Sequence, residues 1–199
     1  MLRRGGRTEK HLNLMDSLGG RVSIYLQTPG EPERVDGLPR RVVEVLDAAS
    51  AVVVDLAPHA LPVLAAARER GRDAWVDLHD YDGDSDFHRP WLEQGTHVFL
   101  SSDGLPAWRD FLRARVDAGA RLAVCTHGAE GATALTPEDG FLEVEAVPVD
   151  DVVDTNGAGD GFFAAFLDAH LRGAQTEEAL RAAAGHAARV VRSRDLAPS

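Results

Sequence analysis

The chain is short of several features that would mark it for a special class. It has a single cysteine, Cys125. One thiol cannot close an internal disulfide, and one cysteine fits a reducing cytosol. Its place in the apolar run Leu122-Ala-Val-Cys125 reads as a small buried hydrophobe, not a reactive thiol. Lys10 is the only lysine, and every other basic residue is arginine, a bias that fits a GC-rich genome. No apolar run is long enough to span a bilayer, and the polar, basic start is not followed by an apolar core. Positive charge is scarce: the formal net charge is -11, with acidic residues spread along the chain. That balance disfavours nonspecific attachment to nucleic acid or to an anionic membrane. No internal repeat is visible, and no Gly-x-Gly-x-x-Gly follows the first strand, which argues against a Rossmann-type dehydrogenase.

What is present is an alternation of short apolar segments with helical ones. The chain has 199 residues, 44% of them hydrophobic, a length that suits one domain (1–199) with a sizeable core. Residues 1–10 read as loose, 21–27 as an alternating strand and 28–32 as a turn. Strands are expected at 51–55, 73–78, 97–100 and 121–126. Helices are expected at 40–48, 59–70, 86–93 and 105–118. Two short strands flank a turn at 137–140, and two helices, 159–172 and 176–192, close the chain. Continuously apolar strands separated by helices predict an α/β fold, a doubly wound, mainly parallel sheet with helices on both faces. Ligands of such sheets bind beyond the carboxyl ends of the strands. The loops after Asp55, Asp77, Leu100 and Thr126 are therefore the candidate site loops.

The densest chemistry lies in Asp154-Thr-Asn-Gly-Ala-Gly-Asp160-Gly-Phe-Phe. Gly157 and Gly159 lack a Cβ, so the backbone can turn tightly and present N–H groups to an anion. A helix follows, so those groups lie at its positive N-terminal end. Asp160 falls in the first turn, within reach of a proton on an attacking hydroxyl. A side chain at Gly159 would obstruct an approaching phosphate and strain any positive φ there. Upstream, Thr126-His-Gly128-Ala-Glu-Gly131 follows a strand, and its hydroxyl and two glycines allow a nucleotide to approach backbone. Asp77-Leu-His-Asp-Tyr-Asp-Gly-Asp-Ser-Asp86 is rich in carboxylates but lacks EF-hand spacing, and reads as a solvated acidic loop.

Asp-Thr-x-Gly-Ala-Gly-Asp-x-Phe resembles the C-terminal signature of the ribokinase-like (PfkB) carbohydrate and nucleoside kinases. The resemblance implies a kinase of that fold transferring phosphate from ATP, with Mg2+, to a hydroxyl of a sugar or nucleoside. It implies that Asp160 is the catalytic base, that Gly157, Ala158 and Gly159 form the anion hole, and that Asp154 helps order a loop for a monovalent cation such as K+. It places Thr126, Gly128 and Gly131 at the nucleotide. Asp77 resembles the aspartate of an Asp-x-Asn segment, with His79 where asparagine is usual. Gly161 stands where alanine is commoner. The family commonly has Asn-x-x-Glu after the next strand, and its glutamate organises magnesium and phosphate. Here Ser101-Ser-Asp-Gly104 puts glycine at that position, leaving Asp103 or Ser101 as substitutes and the metal ligands unknown.

The resemblance covers most of the chain from about Val22 onward, but only the C-terminal part of the family's fold. The segments that grip the sugar and most of the β-sheet lid are not visible, with 1–30 reading as lid return and loose N-terminus. A frame called short and a naturally truncated protein both fit. An exposed sheet edge would invite a homodimer. The alternative to a kinase is a nucleotide-binding or regulatory remnant of one, without turnover. A cytoplasmic location is expected for either.

Overall fold

A computed structural model describes residues 10–15, 21–27 and 37–194. The chain divides into two compact units, 1–36 and 37–199. The turn expected at 28–32 lies outside the described residues, as do residues 1–9 of the segment 1–10 read as loose; Lys10 itself begins a strand.

The first unit contains an antiparallel hairpin of β1 (Lys10–Met15) and β2 (Arg21–Gln27). Leu12 pairs with Ile24 and Leu14 with Val22. Because side chains alternate along a strand, Leu12, Leu14, Ile24 and Leu26 share one side of the ribbon, and all four are exposed. The β2 bounds agree with the sequence reading. Strand β1 was not anticipated.

The second unit is built on a six-stranded sheet in the order β3 (Val52–Val53), β4 (Ala74–Asp77), β5 (His97–Ser101), β6 (Leu122–Thr126), β7 (Ala132–Thr136) and β8 (Gly140–Val144). The first four strands run parallel, and β7 and β8 return antiparallel as a hairpin. Helix α1 (Arg40–Ala48) precedes the sheet. Helices α2 (Leu61–Glu69), α3 (Arg89–Gln94) and α4 (Trp108–Asp117) connect the parallel strands. Each crossover moves one place along the sheet, so right-handed connections put all three helices on the same face. There Leu64, Ala67, Trp91 and Leu112 pack against Val76, Val98, Leu100, Ala123 and Cys125.

The other face is covered by the two closing helices, α5 (Ala158–Leu171) and α6 (Thr176–Val190). Phe162, Phe163, Phe166, Leu180 and Ala183 meet Trp75, Phe99, Leu122 and Val124, the residues that alternate with the first set along the strands. Both faces are thus covered by helices, as expected. Trp75 anchors the second core at 1% exposure, stacked 4.0 Å from His97. Burying an indole removes roughly 150–250 Å2 from water, worth about 4–6 kcal/mol at 25 cal/mol per Å2. Burial holds the His97 imidazole down at about 4, so it packs as a neutral ring. Burial likewise pushes the Cys125 thiol up to about 12, which keeps it inert.

Strand β3 is two residues long, where a run of five was expected. It is the edge strand, paired on one side only. Helix α4 begins at Trp108, not at Leu105. Leu105 N–H instead donates to Ser102 O in a turn, and Leu105 is buried.

Candidate active site

Four parallel strands that end at the same edge gather their loops there. Asp77 is the last residue of β4, Ser101 of β5 and Thr126 of β6, with Ser101 paired directly to Thr126. Asp55 follows β3, and its carbonyl accepts a hydrogen bond from Trp91 Nε1 at 2.9 Å, which fixes that loop.

The glycine signature supplies the helix end that meets this edge. Asp154 Oδ1 accepts from Asn156 N–H at 2.8 Å, a local turn made by the side chain itself. Val153 and Asp154 N–H donate to Val191 O at 2.8 and 3.2 Å, tying the approach to the end of α6. Gly157 then takes the left-handed conformation (φ 75°) as N-cap, and Gly161 N–H donates to its carbonyl at 2.7 Å to open α5. The positive φ is therefore at Gly157, whereas Gly159 is already helical. A Cβ at Gly159 would meet nothing within 4 Å. A helix cannot satisfy the amides of its first turn internally, and of those in α5 Ala158 N–H donates to Thr155 O at 3.3 Å. Asp160 is exposed in the same turn.

Asp160 does not stand alone. One side-chain atom each from Asp77, His79 and Asp160 lie within 4.8 Å of one another. His79 is the centre of the group. Its N–H donates to Asp77 Oδ1 at 2.9 Å and its carbonyl accepts from Ser101 N–H at 2.8 Å. The backbone between these bonds is left-handed (φ 51°), the one non-glycine residue with positive φ among those described. The ring lies between carboxylates, with Nε2 3.6 Å from Asp55 Oδ1 and Nδ1 3.7 Å from Asp77 Oδ2. These separations are ion-pair contacts, longer than hydrogen bonds.

The charges follow this geometry. The Asp55 carboxylate raises the His79 imidazole to about 9, against the opposing effect of burial and with Asp77 and Asp160 adding to the rise. In return His79 holds Asp55 below the usual carboxylate range. Burial pushes Asp77 upward, countered chiefly by His79. Side-chain exposure is 80% at Asp55, 44% at His79 and 19% at Asp77, so water screens the outer contact more than the inner one.

The group is an ion-pair network and not a metal seat. A metal ligand needs a lone pair on a ring nitrogen, whereas a carboxylate stands near each nitrogen of His79, which favours the doubly protonated ring that has none to offer. At Gly104, where a glutamate is usual, a Cβ would lie 3.1 Å from Asp80 O and 3.3 Å from Tyr81 O. A side chain there is crowded by the backbone of the acidic loop, which would have to give by a few tenths of an ångström. Asp103 N–H donates to the Ser101 hydroxyl at 3.2 Å, a local contact between the two candidate substitutes. The described residues therefore do not form a fitted magnesium site.

At the other glycine-bearing turn, Gly128 lies in open space with φ 56°. A Cβ on Gly131 would stand 2.0 Å from Val144 O, so glycine there is demanded by the approach of β8. Thr126 Oγ1 reaches Leu100 O at 3.4 Å. His127 packs against Trp108 with the rings tilted and 4.4 Å apart, and contacts Thr133 Oγ1 at 3.0 Å, a packing role. At Gly161 the space for a Cβ is taken by Val190 Cγ2 at 2.8 Å and His186 Cδ2 at 3.2 Å. Sequence reasoning did not single out Asp55 or His79 as site residues. Their signal was the carboxylate at each strand end and a histidine where asparagine is usual.

Comparison with known proteins gives a consistent picture. The model of the pfkB family carbohydrate kinases matches residues 98–199. The acarbose 7(IV)-phosphotransferase of an Actinoplanes species is 32% identical over 180 residues, 87% of this chain and 59% of that protein. Mouse ketohexokinase is 46% identical over 95 residues, 44% of this chain and 32% of its own length. The chain thus spans less than two thirds of either relative. Among solved structures, the microbiome-derived acarbose kinase Mak1 superposes with a TM-score of 0.81 at 30% identity, over 96% of this chain and 65% of that one. Ribokinase of Arabidopsis thaliana, complexed with ribose and ATP, superposes with a TM-score of 0.76 at 19% identity over 96% of this chain and 65% of its own, a likeness of fold.

Proposed function

Because this chain belongs to the pfkB family of carbohydrate kinases, we propose that it carries the phosphoryl-transfer site of an ATP-dependent kinase for a hydroxyl of a sugar or nucleoside. The observation that carries this reading is the exposed Asp160 in the first turn of α5, beside a left-handed Gly157 and the open space over Gly159. Asp160 takes the proton of the acceptor hydroxyl, whose oxygen attacks the γ-phosphorus as the bond to the β–γ bridging oxygen breaks. The amides of Gly157, Ala158 and Gly159 stabilise charge on the transferred group. Thr126 and Gly128 line the approach of the nucleotide, and Gly131 shapes that turn through its packing. Asp154 orders the entry loop, and a monovalent cation such as K+ is its expected companion. Catalysis on this design is positioning plus electrostatics. The likeness to acarbose phosphotransferases makes an oligosaccharide the first acceptor to test.

The test is Asp160→Asn in a coupled ADP-release assay with acarbose, ribose, ketohexoses and nucleosides. A general base contributes roughly 10² to 10⁴ in rate. The expected outcome is a kcat loss of that size with nucleotide affinity nearly unchanged. Retention of more than about a tenth of kcat removes Asp160 as the base. The glycine at 104, crowded by the backbone of the acidic loop, favours a second reading, a nucleotide-binding remnant without turnover. Calorimetric binding of ATP with no acceptor-dependent ADP release would select it.

A further inference from the structure

The carboxylates around Asp160 create an electrostatic difficulty for the proposed reaction. Asp55, Asp77 and Asp160 converge where a triphosphate would bring more negative charge. Among the described residues no arginine or lysine pairs with any of the three, and His79 is the cation that contacts Asp55 and Asp77. Its placement is specific. Its N–H donates to the Asp77 carboxylate and its carbonyl accepts from Ser101 N–H, which together hold it in a left-handed conformation that residues other than glycine rarely adopt. Such strain clusters at functional positions. Both ring nitrogens face carboxylates, a geometry that favours the imidazolium.

Building on the kinase reading, we propose that His79, set between Asp55 and Asp77, is a fixed imidazolium whose charge lies beside Asp160 and positions the γ-phosphate for transfer. The placement follows from distance. Asp160 and His79 present side-chain atoms within 4.8 Å of each other. A hydroxyl in contact with Asp160 lies about 3–3.5 Å from the phosphorus it attacks, which brings the transferring oxygens within reach of the ring. His79 neither gains nor loses a proton in the step. The hydroxyl proton goes to Asp160, and the electron pair of the broken P–O bond goes to ADP. A neutral side chain at 79 would leave Asp77, already pushed toward its protonated form by burial, without its counter-charge.

The groups that set the state of this ring come from several elements. Asp55 follows β3, Asp77 ends β4, Asp160 opens α5, His88 lies just before α3, and His59 acts through Asp55. The three carboxylates favour the cation and outweigh its burial, so the charge persists from neutral pH to about 9 and is lost above it. The wild-type rate should accordingly fall as pH rises through about 9.

Three measurements on the full chain test this. First, NMR titration of the His79 ring, assigned by its disappearance in His79→Asn, should give a midpoint above 8, and a midpoint at or below 7 overturns the proposal. Second, His79→Asn should weaken binding of AMP-PNP about tenfold and that of ADP less than twofold, since only the former carries a γ-phosphate. Equal effects on the two overturn it, and this arm needs no turnover. Third, where turnover is measurable, His79→Asn should lower kcat about 100-fold, the size of losing one preorganised charge donor, with KM for ATP rising no more than the roughly tenfold loss seen with AMP-PNP. The limb above pH 9 should vanish, and His79→Lys should restore at least a tenth of the rate. If Asp160→Asn abolishes turnover while His79→Asn leaves kcat and the pH limb untouched, the kinase reading stands and this one falls. If Asp160→Asn is silent, the kinase reading itself fails.

Discussion

Two glycine-bearing segments of this chain read alike in sequence and differ in what their glycines do. In the turn after β6, Gly131 has its missing Cβ consumed by the protein, because Val144 O would stand 2.0 Å from such an atom. In the turn before α5, Gly159 has nothing within 4 Å, and that space faces the helix end beside Asp160. One glycine is spent on the fold, and the other is left free for a ligand. The adjacent Gly161 belongs with the first kind, its space filled by Val190 and His186 of α6. A motif read as a string assigns both Gly131 and Gly159 to function, whereas the packing separates them.

The largest effect should come from Gly131→Ala. Its φ of 105° with ψ of -138° is a glycine conformation, and strain of that kind costs about 1–3 kcal/mol. Forcing β8 away from the turn adds roughly 1–3 kcal/mol more. Chemical denaturation should therefore show a loss of about 2–6 kcal/mol, and a loss under 1 kcal/mol would break the distinction between spent and free glycines.

Gly161→Ala should be milder. The contacting atom is the end of a valine side chain, not backbone. Overpacking of roughly 1–3 kcal/mol is partly offset by the helix propensity gained, about 1 kcal/mol. A net loss near 1 kcal/mol is expected, and Val190→Ala in the same chain should relieve the clash. The pair is informative because additivity would show that the two sites do not touch.

The strands of the large sheet were legible because both faces are buried, which leaves continuous apolar runs such as Val98-Phe-Leu100. The closing helices were legible from their small and aromatic residues, and their ends agree within two residues. Strand β1 was missed although His11-Leu-Asn-Leu alternates, because the polar surroundings masked a short period-two pattern. The length of β3 was overestimated because an apolar run does not reveal that its strand has a partner on one side only. At the site, the base candidate and glycine turn were legible as a motif, local in sequence. The Asp55–His79–Asp77 network was not, since it depends on three strand ends meeting across long sequence separations.

Gly159→Ala should have the smallest effect on stability, of opposite sign. The residue is already helical and its surroundings are empty. Alanine there removes unfolded-state entropy without strain, worth about 0.4–1 kcal/mol. That should raise Tm by a few degrees at most in a chain of this size. The same methyl group enters the space where a phosphate would approach the first-turn amides, so ATP affinity should fall even as the protein becomes more stable. Gly159→Val should deepen the binding loss while giving back the stability gain, because a β-branched side chain is less favourable in a helix. The measurement is a thermal melt beside a calorimetric ATP titration for both variants. Rising stability with falling affinity is the signature of a glycine kept for a ligand. Unchanged affinity in both variants would mean that the open space at the start of α5 is not where phosphate binds.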